Sequence, residues 1–216
     1  MKPIGKLQKT ERNFETIPFE DADNAACVLQ ASSLAHYTKP GISAVWLGLE
    51  YPYPRIEASV ARILGLSVPK EATGWVTYPI PDEVLLSTRL HLIREQVEWL
   101  IQRLTPWTED IMTKRHKRKF EFKDYYDKAS VLELGDKYVT LGIHGVEPKI
   151  MATHAPKYGI NCGIKVGWVP YPIPEEVVLT TKMIIDKDQT KSLVAHLRAW
   201  LDTDTFRLPK ATPKKA

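Results

Sequence analysis

Cysteine is almost absent from this 216-residue chain. Cys27 and Cys162 alone cannot build a disulfide framework, and two thiols so placed match no metal-ligand spacing. They read as buried thiols in a reducing compartment. Long apolar runs are missing as well. None approaches the roughly 18 residues that span a bilayer. The charged start, Met1-Lys2-Pro3-Ile4-Gly5-Lys6, is followed by no apolar stretch, so the sequence reads as cytoplasmic, without a membrane partner or secretory leader. Glycine, at 11 residues against 16 prolines, is the scarcer of the two, which suggests many fixed bends and short elements, and Gly-rich phosphate loops, Gly-x-Ser-x-Gly and Cys-x-x-Cys do not occur. The six histidines are scattered, and His144 with His154 fits a metal on neither a helix nor a strand face. Asp82-Glu83 and Glu175-Glu176 are adjacent carboxylates, which on a strand point to opposite sides. These absences leave no catalytic residue, no metal ligand and no cofactor to name, and a non-enzymatic protein is expected.

The chain does hold enough apolar residues, 44%, to bury a core. Its net charge of +4 is unevenly placed. Residues 19–107 carry seven Lys/Arg against ten Asp/Glu, and 122–201 carry ten against nine. The surplus therefore lies in a basic N-terminal arm (1–18), a basic linker (108–121) and a basic C-terminal tail (202–216), the last expected to be disordered.

The most informative feature is an internal repeat. Gly74-Trp75-Val76-Thr77-Tyr78-Pro79-Ile80-Pro81 recurs as Gly167-Trp168-Val169-Pro170-Tyr171-Pro172-Ile173-Pro174, and 11 of the 19 positions from Gly74–Leu92 to Gly167–Ile185 are identical. Downstream, Gln96, Leu100, Leu104 and Trp107 meet Gln189, Leu193, Leu197 and Trp200. Upstream, Val45, Leu47, Gly48, Pro54, Arg55 and Ile56 meet Val139, Leu141, Gly142, Pro148, Lys149 and Ile150. Two tandem copies of a small α+β unit are expected, 19–107 and 122–201, each of several antiparallel strands followed by a helix.

Reading both copies together sharpens the expected elements. Val84, Leu86, Thr88, Leu90 and Leu92 alternate with more polar residues, as do Val177, Leu179, Thr181, Met183 and Ile185, which predicts a strand with one buried face. Val97, Leu100, Ile101 and Leu104 keep helical spacing, as do Leu193, Leu197 and Trp200, with Asp188 as an N-cap candidate. Ser130–Leu134 and Tyr138–Ile143 read as a hairpin closed at Gly135-Asp136. Residues 55–66 read as a helix after Pro54, whereas Pro156 shortens or removes a helix in the matched 149–160. A helix-turn-helix over 57–76 is disfavoured by Pro69, Gly74 and the matched Pro156.

Two groups of residues are candidates for binding. Trp75, Tyr78, Trp168 and Tyr171 are repeated aromatics able to stack on bases, or equally to anchor a core. Arg89 and Lys182 share a matched strand position, and Arg55 and Lys149 another, so basic character recurs in both copies; a solvated strand face would look the same. Lys114, Arg115, Lys117, Arg118 and Lys119 form the densest charge run, suited to gripping phosphates or to holding two bodies apart. The leading reading is a tandem binder of single-stranded nucleic acid. The rival is a protein-interaction or structural adaptor, with a viral origin as one option, and an enzyme of unknown class stands third.

Overall fold

The structure is a computed structural model and describes residues 4–11, 14–33, 43–109 and 118–209. In chain order its strands are β1 (Gln8–Lys9), β2 (Glu15–Glu20), β3 (Ala26–Ser33), β4 (Ser43–Leu49) and β5 (Arg55–Glu57), then helix α1 (Ala58–Ile63). Next come β6 (Trp75–Thr77), β7 (Val84–Leu85), β8 (Leu90–Ile93) and helix α2 (Arg94–Thr108). Beyond these lie β9 (Arg118–Lys123), β10 (Ala129–Leu134), β11 (Val139–Ile143), β12 (Lys149–Met151), a 3-10 turn at Ala155–Tyr158, β13 (Trp168–Pro170), β14 (Lys182–Ile185) and helix α3 (Lys187–Thr203). The fold is α+β with antiparallel sheets.

The chain divides into two compact units. The larger takes the segments up to Glu50, Arg89–His144 and Lys182 onward; the smaller takes Tyr51–Thr88 and Gly145–Thr181. Each unit thus draws on both halves of the sequence.

In the larger unit one sheet has the order β1-β2-β3-β4-β8 and another β14-β11-β10-β9. Helices α2 and α3 pack on each other. Helix α2 buries Val97, Leu100, Ile101 and Leu104, and α3 buries Leu193, Val194, Leu197 and Trp200, which is the 3.6-residue stripe expected of both. The α3 N-terminus is capped by Asp186, not Asp188, because Asp186 holds the extended conformation from which its carboxylate accepts the Gln189 N–H at 2.9 Å. Gln189 and Gln96 return the bond to the cap backbone at Asp186 and Ile93, both at 3.0 Å.

Two loops with the same build tie this unit together. Asp21 Oδ1 accepts the N–H groups of Asp23 and Ala25, and Asp124 Oδ1 those of Tyr126 and Lys128. The left-handed residue each loop needs is Asn24 (φ 61°) or Asp127 (φ 60°), types that tolerate that region. The second carboxylate oxygen reaches away from its own loop: Asp21 Oδ2 takes the Ile184 N–H at 2.9 Å, and Asp124 Oδ2 the His91 N–H at 3.2 Å. The backbone repeats the exchange, Ala22 N–H to Ile184 O and Tyr125 N–H to His91 O. So does the glutamine pair, Gln189 Nε2 to Glu20 O and Gln96 Nε2 to Lys123 O.

The smaller unit holds a three-stranded sheet, β13-β12-β7, and the pair β5-β6. Val84, Ile150, Ala152, Ala155 and Val169 form its core, with Ile80, Leu86, Tyr158 and Tyr171 packed around.

Several expectations need correction. The strand drawn over 84–92 is broken into β7 and β8, because Val84–Leu85 pairs with β12 while Leu90–Ile93 pairs with β4, and no continuous strand serves both ladders. Thr88, Leu90, Leu92, Thr181, Met183 and Ile185 are buried as the alternation predicts; Leu86, Val177 and Leu179 are only half-buried, and His91, placed outward, is buried. The helix drawn over 55–66 begins as β5 and is helical only from Ala58 to Ile63. The arm 1–18 contributes β1 and most of β2, with Ile17 buried. In the segment 202–216, α3 continues to Thr203 and Phe206 is buried, its N–H on Glu15 Oε2 at 2.8 Å. The linker 108–121 already contains the start of β9.

Candidate nucleic-acid interface

Strand pairing decides which side chains share a surface. In β5–β6, Arg55 stands opposite Thr77 and Glu57 opposite Trp75, with Ile56 and Val76 between them. Ile56 is fully buried, so the period of two turns Arg55, Glu57, Trp75 and Thr77 to solvent. Trp75 is 56% exposed, a large value for an indole in a folded unit. In β12–β13, Lys149 stands opposite Pro170 and Met151 opposite Trp168, which is 49% exposed, above the buried Ile150 and Val169. Arg55 is therefore the diagonal neighbour of Trp75, and Lys149 of Trp168, within reach for long side chains on one sheet face. Arg55 Nη2 lies 3.4 Å from Thr180 Oγ1, and Lys149 Nζ 3.1 Å from Glu147 Oε2.

Tyr78 and Tyr171 are half-buried. The Tyr171 ring meets Tyr158 edge-on at 6.0 Å, and burial, with Tyr78 and Tyr158 close by, pushes its phenol above the usual range. Behind it, Glu83 accepts from Lys157 Nζ and Tyr158 Oη, both at 2.7 Å, and these two bonds hold its carboxyl at about 2. The smaller unit carries Arg55, Arg62, Lys70, Lys149, Lys157 and Lys165 against seven carboxylates, so its cations act locally and not through net charge.

The remaining candidates fall in the larger unit. Arg89 is half-buried with its guanidinium 5.9 Å over the Trp46 ring, and burial lowers its pKa. Lys182 Nζ stands 3.9 Å from Glu133 Oε1 on an outward sheet face. Glu133 pairs across to Lys119, whose ammonium meets Glu121 at 2.7 Å and is held above its ordinary pKa by that bond. Beside them lies an open groove of about 660 Å³, lined by Arg118, Lys119, Glu133, Lys137, Tyr138, Thr140 and Ile184 among others. Arg118 and Lys119 are exposed there; Lys114, Arg115 and Lys117 lie outside the described residues. The repeated tryptophans and the cations Arg89, Arg118, Lys119 and Lys182 thus belong to different compact units.

Sequence reasoning missed Lys137 and Tyr138 as groove residues, since a hairpin end carries no signal of the opening beside it. It singled out Arg55 and Lys149 without linking them to the tryptophans, because that link is a strand register. Among the described residues no cluster of three or more His, Cys, Asp or Glu is placed to hold a metal ion, and no helix is long and apolar enough to cross a membrane. Compared with known proteins, the chain matches no family model, no curated protein and no solved structure.

Proposed function

We propose that this protein is a non-enzymatic, cytoplasmic binder of single-stranded nucleic acid, built as an internal duplication. The observation that carries the reading is the pair of exposed tryptophans, Trp75 and Trp168, each on a sheet face with a cation on its diagonal. An indole face stacks on any base, contributing roughly 1–3 kcal/mol per base, and a neighbouring cation takes the phosphate. The groove cations Arg118, Lys119 and Lys137 add sequence-independent attraction. The duplication reading is supported by the matched element order and by the doubled Asp21/Asp124 and Gln96/Gln189 bonds.

The test is a titration of tryptophan fluorescence with a homopolymeric oligonucleotide at two salt concentrations. Quenching that weakens with salt, and is lost when Trp75 and Trp168 are both changed to Ala, is the expected result. No binding by the wild type at low salt, where attraction is strongest, ends this reading. A second reading, the protein-interaction adaptor, is favoured by the exposed apolar residues of the smaller unit: Ile63, Leu85, Ile164, Val166 and Val178 are between 44% and 82% exposed.

A further inference from the structure

We infer that the outer edge of β6 accepts an extended segment of another polypeptide as an added strand, and that the matched edge of β13 is closed to one. This goes beyond nucleic-acid binding, which uses side chains on the sheet face and not the backbone edge.

The argument starts from the ladder. Tyr78 N–H donates to Pro54 O at 2.9 Å, and Ala58 N–H to Gly74 O at 2.7 Å. With the register Ile56↔Val76, the inward-bonded residues of β6 and its flanks are therefore Gly74, Val76 and Tyr78. The alternation turns the N–H and C=O groups of Trp75 and Thr77 outward. On β5 the outward groups of Arg55, opposite Thr77, are taken: Arg55 N–H donates to Val178 O at 2.9 Å, and Val178 N–H to Arg55 O at 2.7 Å. On β6 no strand among the described residues takes them, and both Trp75 and Thr77 are exposed. A row of unpaired backbone donors and acceptors is a template for another strand.

β13 shows what a closed edge looks like on the same frame. Tyr171 N–H bonds Pro148 O and Ala152 N–H bonds Gly167 O, both at 2.8 Å, so Trp168 and Pro170 face outward. Pro170 has no N–H, and its ring fills the space a partner strand would use. Thr77 is its matched residue and keeps its donor. The occupant of the β6 edge is a protein strand because Trp75 and Thr77, two residues apart, each turn an N–H and a C=O outward, the pattern an antiparallel partner strand completes. Its side chains alternate: one set lies beside Trp75 and Thr77, the other beside the half-buried Val76, so apolar or β-branched residues at every second position are required.

The experiment selects a phage-displayed library of random linear peptides on the full-length protein, with the Thr77→Pro variant as counter-target, and synthesises the enriched peptide. Thr77→Pro is expected to fold, since its matched position is proline, and circular dichroism checks this. The peptide should bind wild type one to one and slow amide exchange at Trp75 and Thr77. Affinity should fall tenfold or more in Thr77→Pro, persist in Thr77→Ala, and a second equivalent should bind Pro170→Thr. Binding by Thr77→Pro as tight as by wild type, unchanged exchange at the two amides, or no enrichment would overturn the inference. So would a wild-type dimer, seen by sedimentation and abolished in Thr77→Pro, which would make a second copy the occupant. Thr77→Pro should still bind oligonucleotide if the stacking reading holds, so the two ideas fail separately.

Discussion

The outward faces of the two sheets in the larger unit pair sequence-matched positions in the same register and fill them differently. On one, Trp46 pairs across to His91; on the other, the matched residues Thr140 and Ile184 pair across in the same way. Trp46 and His91 fill their face: the rings meet edge-on at 4.9 Å, Tyr126 packs on the far side of His91 at 4.7 Å, and Arg89 lies over Trp46. The groove lies on the second face, with Thr140 and Ile184 in its lining. At these matched positions one face carries Trp46 and His91 in ring contact, and the other carries Thr140 and Ile184 in the lining of the groove. The smaller unit repeats the lesson with Thr77 and Pro170, where one ring separates an open strand edge from a closed one.

The strongest way to break this comparison is to attack what the two halves share. Asp21→Ala and Asp124→Ala each leave three N–H groups without their acceptor, two within the loop and one on β14 or β8. Each should cost about 1–3 kcal/mol in a urea melt, from part-buried donors left without their acceptor, with Asp124→Ala the larger because its bond to the His91 N–H is buried. If one variant costs less than 1 kcal/mol, the two loops are alike in geometry only. Leu90→Ala, at a fully buried position, should cost roughly 2–5 kcal/mol, with Met183→Ala alongside it in the same range. A loss under half a kcal/mol at either would mean its face has been misread.

Smaller effects sharpen the divergent side. Trp75→Ala and Trp168→Ala should each weaken oligonucleotide binding by roughly 1–3 kcal/mol, equally if both platforms act, and by fluorescence titration one alone if only one does. Neutralising Lys114, Arg115, Lys117, Arg118 and Lys119 should weaken binding to all sequences alike and reduce the salt slope by about 0.7 per lost phosphate contact, with little change in stability. The Glu83 carboxyl, held at about 2 by Lys157 and Tyr158, sits below its unfolded value of 4.5. Its contribution to stability is therefore present above the ordinary carboxylate range and lost as pH falls through that value toward 2. Glu83→Gln should flatten that part of the acid limb in a melt series from pH 6 to 2, and an unchanged acid limb would mean the pair contributes nothing.

Much of the fold was readable before any coordinates. The amphipathic stripes of α2 and α3 and the hairpin from Ser130 to Ile143 follow from residue spacing, because a helix or hairpin buries what its own period presents. The binding surfaces were not readable to the same degree. Trp75 and Trp168 stood out by composition, but whether an indole is core or surface depends on what packs over it. Arg89 looked like a free cation and is half-buried beside Trp46, a contact made across β4 and β8. Ile17 and Phe206 lie in segments whose charge suggested arms and tails, yet both are buried in the larger unit.

By itself the sequence determined the α+β class, the matched pairs of positions and the buried faces of the helices and of the strand residues Leu90, Leu92, Met183 and Ile185. These rest on local periodicity, which short-range backbone geometry enforces whatever the chain packs against. Tertiary structure alone decided that 84–92 splits between two ladders, that each compact unit takes segments from both halves, and that Arg55 shares a face with Trp75. Those outcomes depend on pairings between residues far apart in the chain. Register, not composition, selects them, and a shift of one residue would turn every one of those side chains to the opposite face.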